Sequence, residues 1–216
     1  MILLDKDLPT TPAELVNSPE EAQELIEQLE YELSMSKVNG VGLSSVQIGV
    51  MKACAIVRTT NFSINLINPR IIKADKLIQY TEGCLSFPDK WVKTVRYANV
   101  VIETADDYMW QAEQLNAKRS KRKPVDMPLF SSGRRVIECG ESEEGDEEGR
   151  LVSIACQHET AHLLGLTFLQ FAPKEVGRND KCVCGSGRKN KVCCAVQFYN
   201  PNLDLLFKPN YVKGVL

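Results

Sequence analysis

The chain contains two histidines, His158 and His162, which stand four residues apart with Glu159 between them in the run His158-Glu159-Thr160-Ala161-His162. On an α-helix, positions i and i+4 lie one turn apart on one face. Both imidazoles can therefore reach a single metal ion, while Glu159, about 100° round, reaches a water on that ion. A bound cation lowers the pKa of its water from ~15.7 to about 7, so the carboxylate can take the proton and the hydroxide can attack a carbonyl. A second group is Cys182, Cys184, Cys193 and Cys194, four of the eight cysteines, crowded into 13 residues as C-x-C-x8-C-C. Four thiolates in so short a loop suit structural Zn²⁺, and a segment this small needs the metal in order to fold. Cys54, Cys84, Cys139 and Cys156 are scattered, the usual pattern of a small buried hydrophobe.

The elements that must position these residues are legible in part. Leu151, Ile154, Ala155, His158, His162 and Gly165 share one helical face, which predicts a buried helix from Leu151 to about Leu164 that carries the chemistry. Ser18-Pro19-Glu20-Glu21 is a capping box with proline at the first helical position. Ala22, Leu25, Ile26, Leu29 and Leu33 then form the stripe of an amphipathic helix expected to end near Lys37. Short β-rich runs follow at Ala53 to Val57, Ile64 to Ile72, Leu77 to Tyr80 and Val100 to Glu103, read as antiparallel strands. The expected class is α+β: antiparallel strands packed around a central HExxH helix, with a small C-terminal zinc knuckle.

Composition bounds the function. The chain has 216 residues, a net charge of −2, 44% hydrophobic and 25% charged residues, the balance of a globular protein with a real core and not of a general coat for nucleic acid or an anionic membrane. No run approaches the ~18 apolar residues of a membrane span. Met1 to Asp7 lacks the basic flank and long apolar region of a secretory signal, so a cytoplasmic location is expected, with thiols kept reduced. Between about Trp110 and Gly149 periodicity is lost and charges separate. Residues 118–135 hold seven bases against Asp126, and residues 138–148 hold seven acids and no base, so a largely mobile, solvated insertion is expected.

HExxH alone leaves the third ligand open. A histidine six residues past His162 would mark one protease class, but Phe168 stands there. A downstream glutamate would mark another, but Glu175 lies in the linker-like Ala172-Pro173-Lys174-Glu175-Val176-Gly177. Upstream, Gly40-Val41-Gly42-Leu43-Ser44-Ser45-Val46-Gln47 follows the first helix and Glu82-Gly83-Cys84-Leu85-Ser86 follows a predicted strand. With HExxH, these three motifs in this order resemble peptide deformylase, whose pattern is G-x-G-L-A-A-x-Q, E-G-C-L-S, H-E-x-x-H. The resemblance spans roughly residues 1–109 and 149–172.

The resemblance implies that Cys84, His158 and His162 bind the catalytic metal and that Glu159 is the general base and acid. It implies an oxyanion hole formed by the Gln47 side-chain amide and the Leu85 backbone N–H. Gly40, Val41, Gly42 and Gly83 would contact substrate, with Gly40 and Gly42 letting an extended peptide approach edge to edge. The implied reaction removes the N-formyl group from N-formylmethionine of nascent proteins, metal-bound water attacking the formyl carbonyl and releasing formate. Thiolate with two imidazoles suits Zn²⁺ or Fe²⁺; the family favours Fe²⁺ in the cell, with Zn²⁺, Ni²⁺ or Co²⁺ after purification. Ser44-Ser45 replaces Ala-Ala, Ala161 replaces a common Asp, and the 110–149 segment is long. An inactive module holding N-termini in the same pocket is the alternative; loss of Glu159, Gln47 or a ligand would mark it, and none is lost.

Gly177 to Cys194 resembles the SEC-C motif, the zinc-binding element at the C-terminus of the SecA translocation ATPase, including Arg178-Asn179-Asp180 and Cys184-Gly185-Ser186-Gly187. Six bases against two acids between Lys174 and Lys191 suggest docking to the ribosome or another translation-linked partner through 177–194, with the basic run 118–135. The expected organisation is a catalytic domain at 1–172, the zinc motif at 177–194 and a tail at 195–216.

Overall fold

The computed structural model describes residues 1–105, 118–121, 134–143 and 145–212. Helix α1 spans Pro19–Ser34; Ser18 accepts a bond from the Glu21 N–H, and Glu21 reaches back to the Asn17 N–H. Its buried residues Ala22, Leu25, Ile26 and Leu29 pack on Leu43, Cys54, Ile56 and Ile67. The helix stops short of Lys37 because the Ser36 hydroxyl bonds the backbone of Val38, replacing the next helical bonds with a local turn.

Strands β1 (Gly42–Ser44), β2 (Cys54–Arg58) and β3 (Ser63–Ile67) form one antiparallel sheet in that order. Strands β4 (Arg70–Cys84), β5 (Phe87–Ala105) and β6 (Arg134–Cys139) form a second. The separate runs expected at 77–80 and 100–103 are parts of one long β4–β5 hairpin. Only Ile71 and Glu82 of β4 are buried, so polar residues interrupt its apolar pattern, while the ladder of backbone bonds continues through them. Strand β6 and the start of the next helix lie in the stretch expected as an irregular insertion. Val136 to Cys139 pair with Val100 to Glu103, so backbone pairing overrides the local charge pattern. Most of the basic run lies outside the described residues.

Helix α2 spans Glu147–Leu163. It begins four residues before the apolar period because Asp146 caps it, accepting the Gly149 N–H at 2.8 Å, and because Glu147 and Glu148 suit the positive end of the helix. From Val152 to Leu163 every residue is buried, against β1, β2 and β5. A helix buried on all sides must satisfy its polar groups internally. Gln157 accepts the Tyr97 N–H and donates to the Tyr97 carbonyl, Ser153 donates to that same carbonyl, and Thr160 donates to the Cys156 carbonyl.

The segment after the cysteine motif returns to this core instead of trailing away. Leu203 and Leu206 are fully buried, Asn200 donates to the carbonyls of Gln170 and Ala172, and the Tyr211 hydroxyl donates to the Pro69 carbonyl. Strands β7 (Lys174–Glu175) and β8 (Phe198–Tyr199) pair and close the base of the cysteine motif. No helix among the described residues is long and apolar enough to cross a membrane.

Candidate metal and catalytic site

Strand β4 ends in Glu82-Gly83-Cys84 at the outer edge of its sheet, and α2 presents His158 and His162 toward it. The Cys84 Sγ lies 3.3 Å from His162 Nε2, and the two Nε2 atoms lie 3.1 Å apart. All three donor atoms fall within 4.8 Å of one another. A tetrahedral cation with bonds of 2.0–2.3 Å holds neighbouring donors about 3.4–3.6 Å apart, so this spacing fits a metal ion with little adjustment. His158 Nδ1 lies 2.7 Å from Glu82 Oε2. That contact fixes the ring with Nε2 toward the other donors, the supporting bond expected of a ligating histidine.

The electrostatics point the same way. Burial disfavours a charge on either ring, but bonds to Cys84 and Glu82 outweigh it at His158 and raise it to about 10. His162 is pushed well below the usual histidine range by burial and by the charges of His158 and Arg96. One ring of the donor pair thus readily carries a proton, while the other stays neutral with its lone pair free for a cation. Burial opposes the charge on Glu82, yet Arg96 and His158 hold it well below the usual carboxylate range. Arg96 is fully buried and forks onto Glu82 at 2.7 and 3.1 Å, and its guanidinium lies 4.0 Å from the Phe171 ring centre. Thr94 also donates to Glu82.

Glu159 faces the same space. One carboxylate oxygen presses on Gly42, where a Cβ would come within 2.6 Å, and the other has no hydrogen-bond partner among the described residues. Burial pushes Glu159 up to about 7, against the charge of His158 and the Ser44 hydroxyl. A carboxyl poised near neutrality can both take and return a proton. The Gln47 side-chain oxygen accepts from the Ser44 N–H at 2.9 Å and from the Ser44 hydroxyl at 2.8 Å. This orients Nε2 toward Cys84 Sγ at 3.5 Å and Ser86 Oγ at 3.2 Å.

These groups open on a cavity of about 390 Å³, lined by Gly40, Val41, Gly42, Gly83 and Leu85 as well as by Cys84, His158, Glu159 and Gln47. All four expected substrate-contact residues therefore meet at one cleft. The Leu85 side chain packs on Gly40, where a Cβ would lie 2.7 Å from it. A second, more polar cavity of about 620 Å³ lies between Gln79 and the base of the cysteine motif and contains none of these groups.

The sulfurs of Cys182, Cys184, Cys193 and Cys194 also lie within 4.8 Å of one another. Cys184 Sγ is 3.5 Å from both Cys182 Sγ and Cys193 Sγ. Bonds from Ser186 hold Cys184 down to about 6, while neighbouring thiols push Cys194 up to about 12. Four sulfurs this close cannot share negative charge without a cation, and a four-thiolate set fits a structural metal. Asn190 ties the loop together, its N–H bonding the Asp180 carbonyl and its side chain both backbone groups of Val196.

Two supporting roles were not foreseen from the sequence. Arg96 occupies an inward position of β5, in line with Thr94, Ala98, Val100 and Ile102. A charged residue on a buried period-2 face is the signal that a buried acid must partner it. The sequence places the Ser44 hydroxyl near Gln47 without giving it a role, whereas in the structure the Ser44 N–H and hydroxyl both donate to Gln47 and orient it.

Three protein donors, a buried carboxylate and an oriented amide beside an apolar cleft have the composition of a metallohydrolase centre. The family model described as polypeptide deformylase matches residues 4–121, and that of the SEC-C motif matches residues 178–195. A peptide deformylase of Aquifex aeolicus is 28% identical over 176 residues, covering 76% of this chain and 85% of the relative. One from Heliobacterium modesticaldum is 30% identical over 136 residues, covering 63% and 69%. Among solved structures, the deformylase of the Vibrio parahaemolyticus bacteriophage VP16T, in complex with actinonin, aligns with a TM-score of 0.54 at 26% identity, covering 77% of this chain and 98% of that one. The Thermus thermophilus peptide deformylase shares the fold, with a TM-score of 0.60 at 23% identity over 80% of this chain and 84% of that one. The chain belongs to the polypeptide deformylase family and carries a SEC-C motif near its C-terminus.

Proposed function

We propose that the protein is a metal-dependent peptide deformylase that removes the formyl group from N-formylmethionine at the start of nascent chains. The observation that carries this is the meeting of Cys84, His158 and His162 within 4.8 Å, beside a Glu159 carboxylate oxygen that has no partner among the described residues. Those three residues would hold a divalent cation, and their mixed sulfur and nitrogen donors suit Fe²⁺ or Zn²⁺. Such a cation, when bound, acidifies water and polarises a carbonyl oxygen.

The chain's own groups supply the rest. Glu159 accepts a proton from the attacking water and delivers one to the departing amine, a role matched to its position near 7. The Gln47 amide and the Leu85 backbone N–H donate to the oxygen that becomes negative as the carbonyl is attacked. Strands β1 and β4 are edges of their sheets, so Gly42 and Gly83 can pair with an extended peptide. Val41, Leu85, Leu151 and Ile154 line the cavity and offer an apolar seat for the methionine side chain.

The domain partition we propose joins residues 1–172 with the returning segment from Phe198, leaving 177–194 as a zinc-binding insertion between β7 and β8. Its basic surface, with the basic run at 118–135, would dock on the ribosome. Formate release from a formyl-Met peptide by anaerobically prepared, Fe²⁺-loaded protein tests the catalytic reading. Release should fall by about 10²–10⁴-fold in Glu159→Ala, with metal content retained. Cys84→Ala should lose the catalytic metal itself. Fully metallated protein that releases no formate would overturn the reading.

A further inference from the structure

The β4–β5 ladder contains a large bulge beside the cleft. Glu82 pairs with Val92, and the next pair is Cys84 with Phe87, so four residues, Pro88 to Trp91, stand opposite Gly83 alone. Asp89 turns the bulge with a left-handed φ of 64°. The chain thereby carries the Trp91 indole back over Gly83, where a Cβ would lie 3.2–3.4 Å from three ring atoms. A Cβ there would press on the ring, so the glycine leaves the indole room to lie close to the strand.

Trp91 is nevertheless 70% exposed, and it lines the same cavity as Cys84, His158 and Glu159. An indole fixed along one edge, open on its remaining surface and set at the rim of an apolar cleft is a preformed contact surface. Val38, also exposed, lines the same cavity. Bulges beside active sites commonly serve to re-aim a side chain, and here the side chain that is re-aimed is the largest apolar one.

We propose that Trp91 is a specificity-determining residue: its indole forms a wall for the side chains that directly follow the formylated residue, favouring apolar or aromatic ones over alanine. This rests on the deformylase reading above. A peptide lying along Gly83 places its second and third residues about 3–7 Å beyond the first, at the mouth of the cleft. An aromatic contact there strengthens binding without touching the reacting carbonyl.

The test compares formyl-Met-Xaa-Ala and formyl-Met-Ala-Xaa, with Xaa as Phe, Leu or Ala, in the parent protein, Trp91→Ala and Trp91→Phe. At one of the two positions the parent should prefer Phe over Ala by up to about tenfold in kcat/KM, through KM. Trp91→Ala should erase that preference and Trp91→Phe should restore most of it. Calorimetric binding of the same peptides to metal-loaded Glu159→Gln gives a readout without turnover, in which the Phe-over-Ala ratio should again depend on Trp91. If Trp91→Ala lowers kcat equally for every peptide, the indole only braces Gly83 and the proposal fails. It fails too if the parent shows no preference at either position. A parent that binds these peptides selectively yet releases no formate would overturn the catalytic reading while leaving the wall in place.

Discussion

Among the described residues, two clusters of side chains could each hold a metal ion, and the chain assembles them in opposite ways. Cys84, His158 and His162 come from a strand end and a helix 74 or more residues apart, and the core packs around both histidines. Cys182, Cys184, Cys193 and Cys194 lie within 13 residues, and only Cys182 of the four is buried. The first cluster is held in place by Glu82 and Arg96 behind His158 and by a helix buried from Val152 to Leu163. The second has few apolar contacts of its own, so a metal bound there would supply much of the free energy that orders it. Preorganisation is useful where an ion must keep a position open for reaction. A structural ion needs only a closed set of ligands.

That contrast can be broken most directly at Arg96. Arg96→Leu leaves the Glu82 carboxylate buried without its main partner, and urea unfolding should show a loss of about 3–5 kcal/mol. A loss under about 1 kcal/mol would mean that the first cluster is not held by the core in the way described. Next is the returning C-terminal segment. Leu203 is fully buried in the main core, so Leu203→Ala should cost about 2–5 kcal/mol in the same assay, whereas a tail belonging only to the cysteine motif would cost far less. The smallest effect is expected at the motif itself. Cys182→Ser with Cys193→Ser should raise amide hydrogen exchange across 177–195 toward that of an unfolded chain and move the main melting transition by less than about 2 °C. A larger shift would show that β7 and β8 transmit the motif's stability into the core.

The unevenness of what could be read in advance follows the same division. His158, Glu159 and His162 were legible because a helix sets their spacing locally. The four clustered cysteines were legible because their loop is short. Cys84 stood out only through its motif, since nothing in its own neighbourhood distinguishes it from Cys54 or Cys139. The capping box at Ser18 marked where α1 begins, but the continuous β4–β5 hairpin was hidden because β4 buries only Ile71 and Glu82 and β5 places the polar Thr94, Arg96 and Thr104 on its buried face. Strand β6 was hidden by its charges, and the burial of Leu203 and Leu206 by a segment too short and irregular to show a period.

The sequence by itself therefore determined the chemistry on offer: two imidazoles and a carboxylate at helical spacing, a cysteine in a Glu-Gly-Cys run, an amide upstream of it, and a loop of four cysteines. Only the tertiary structure decided that Cys84 faces the histidines, that Arg96 and Glu82 brace His158, that Ser44 aims Gln47, and that Trp91 lies over Gly83. The physical reason is one of range. Helix spacing, caps and short loops are set by neighbours along the chain. A donor set drawn from a strand and a distant helix exists only once burial of the apolar faces has brought those elements together and made its polar contacts obligatory.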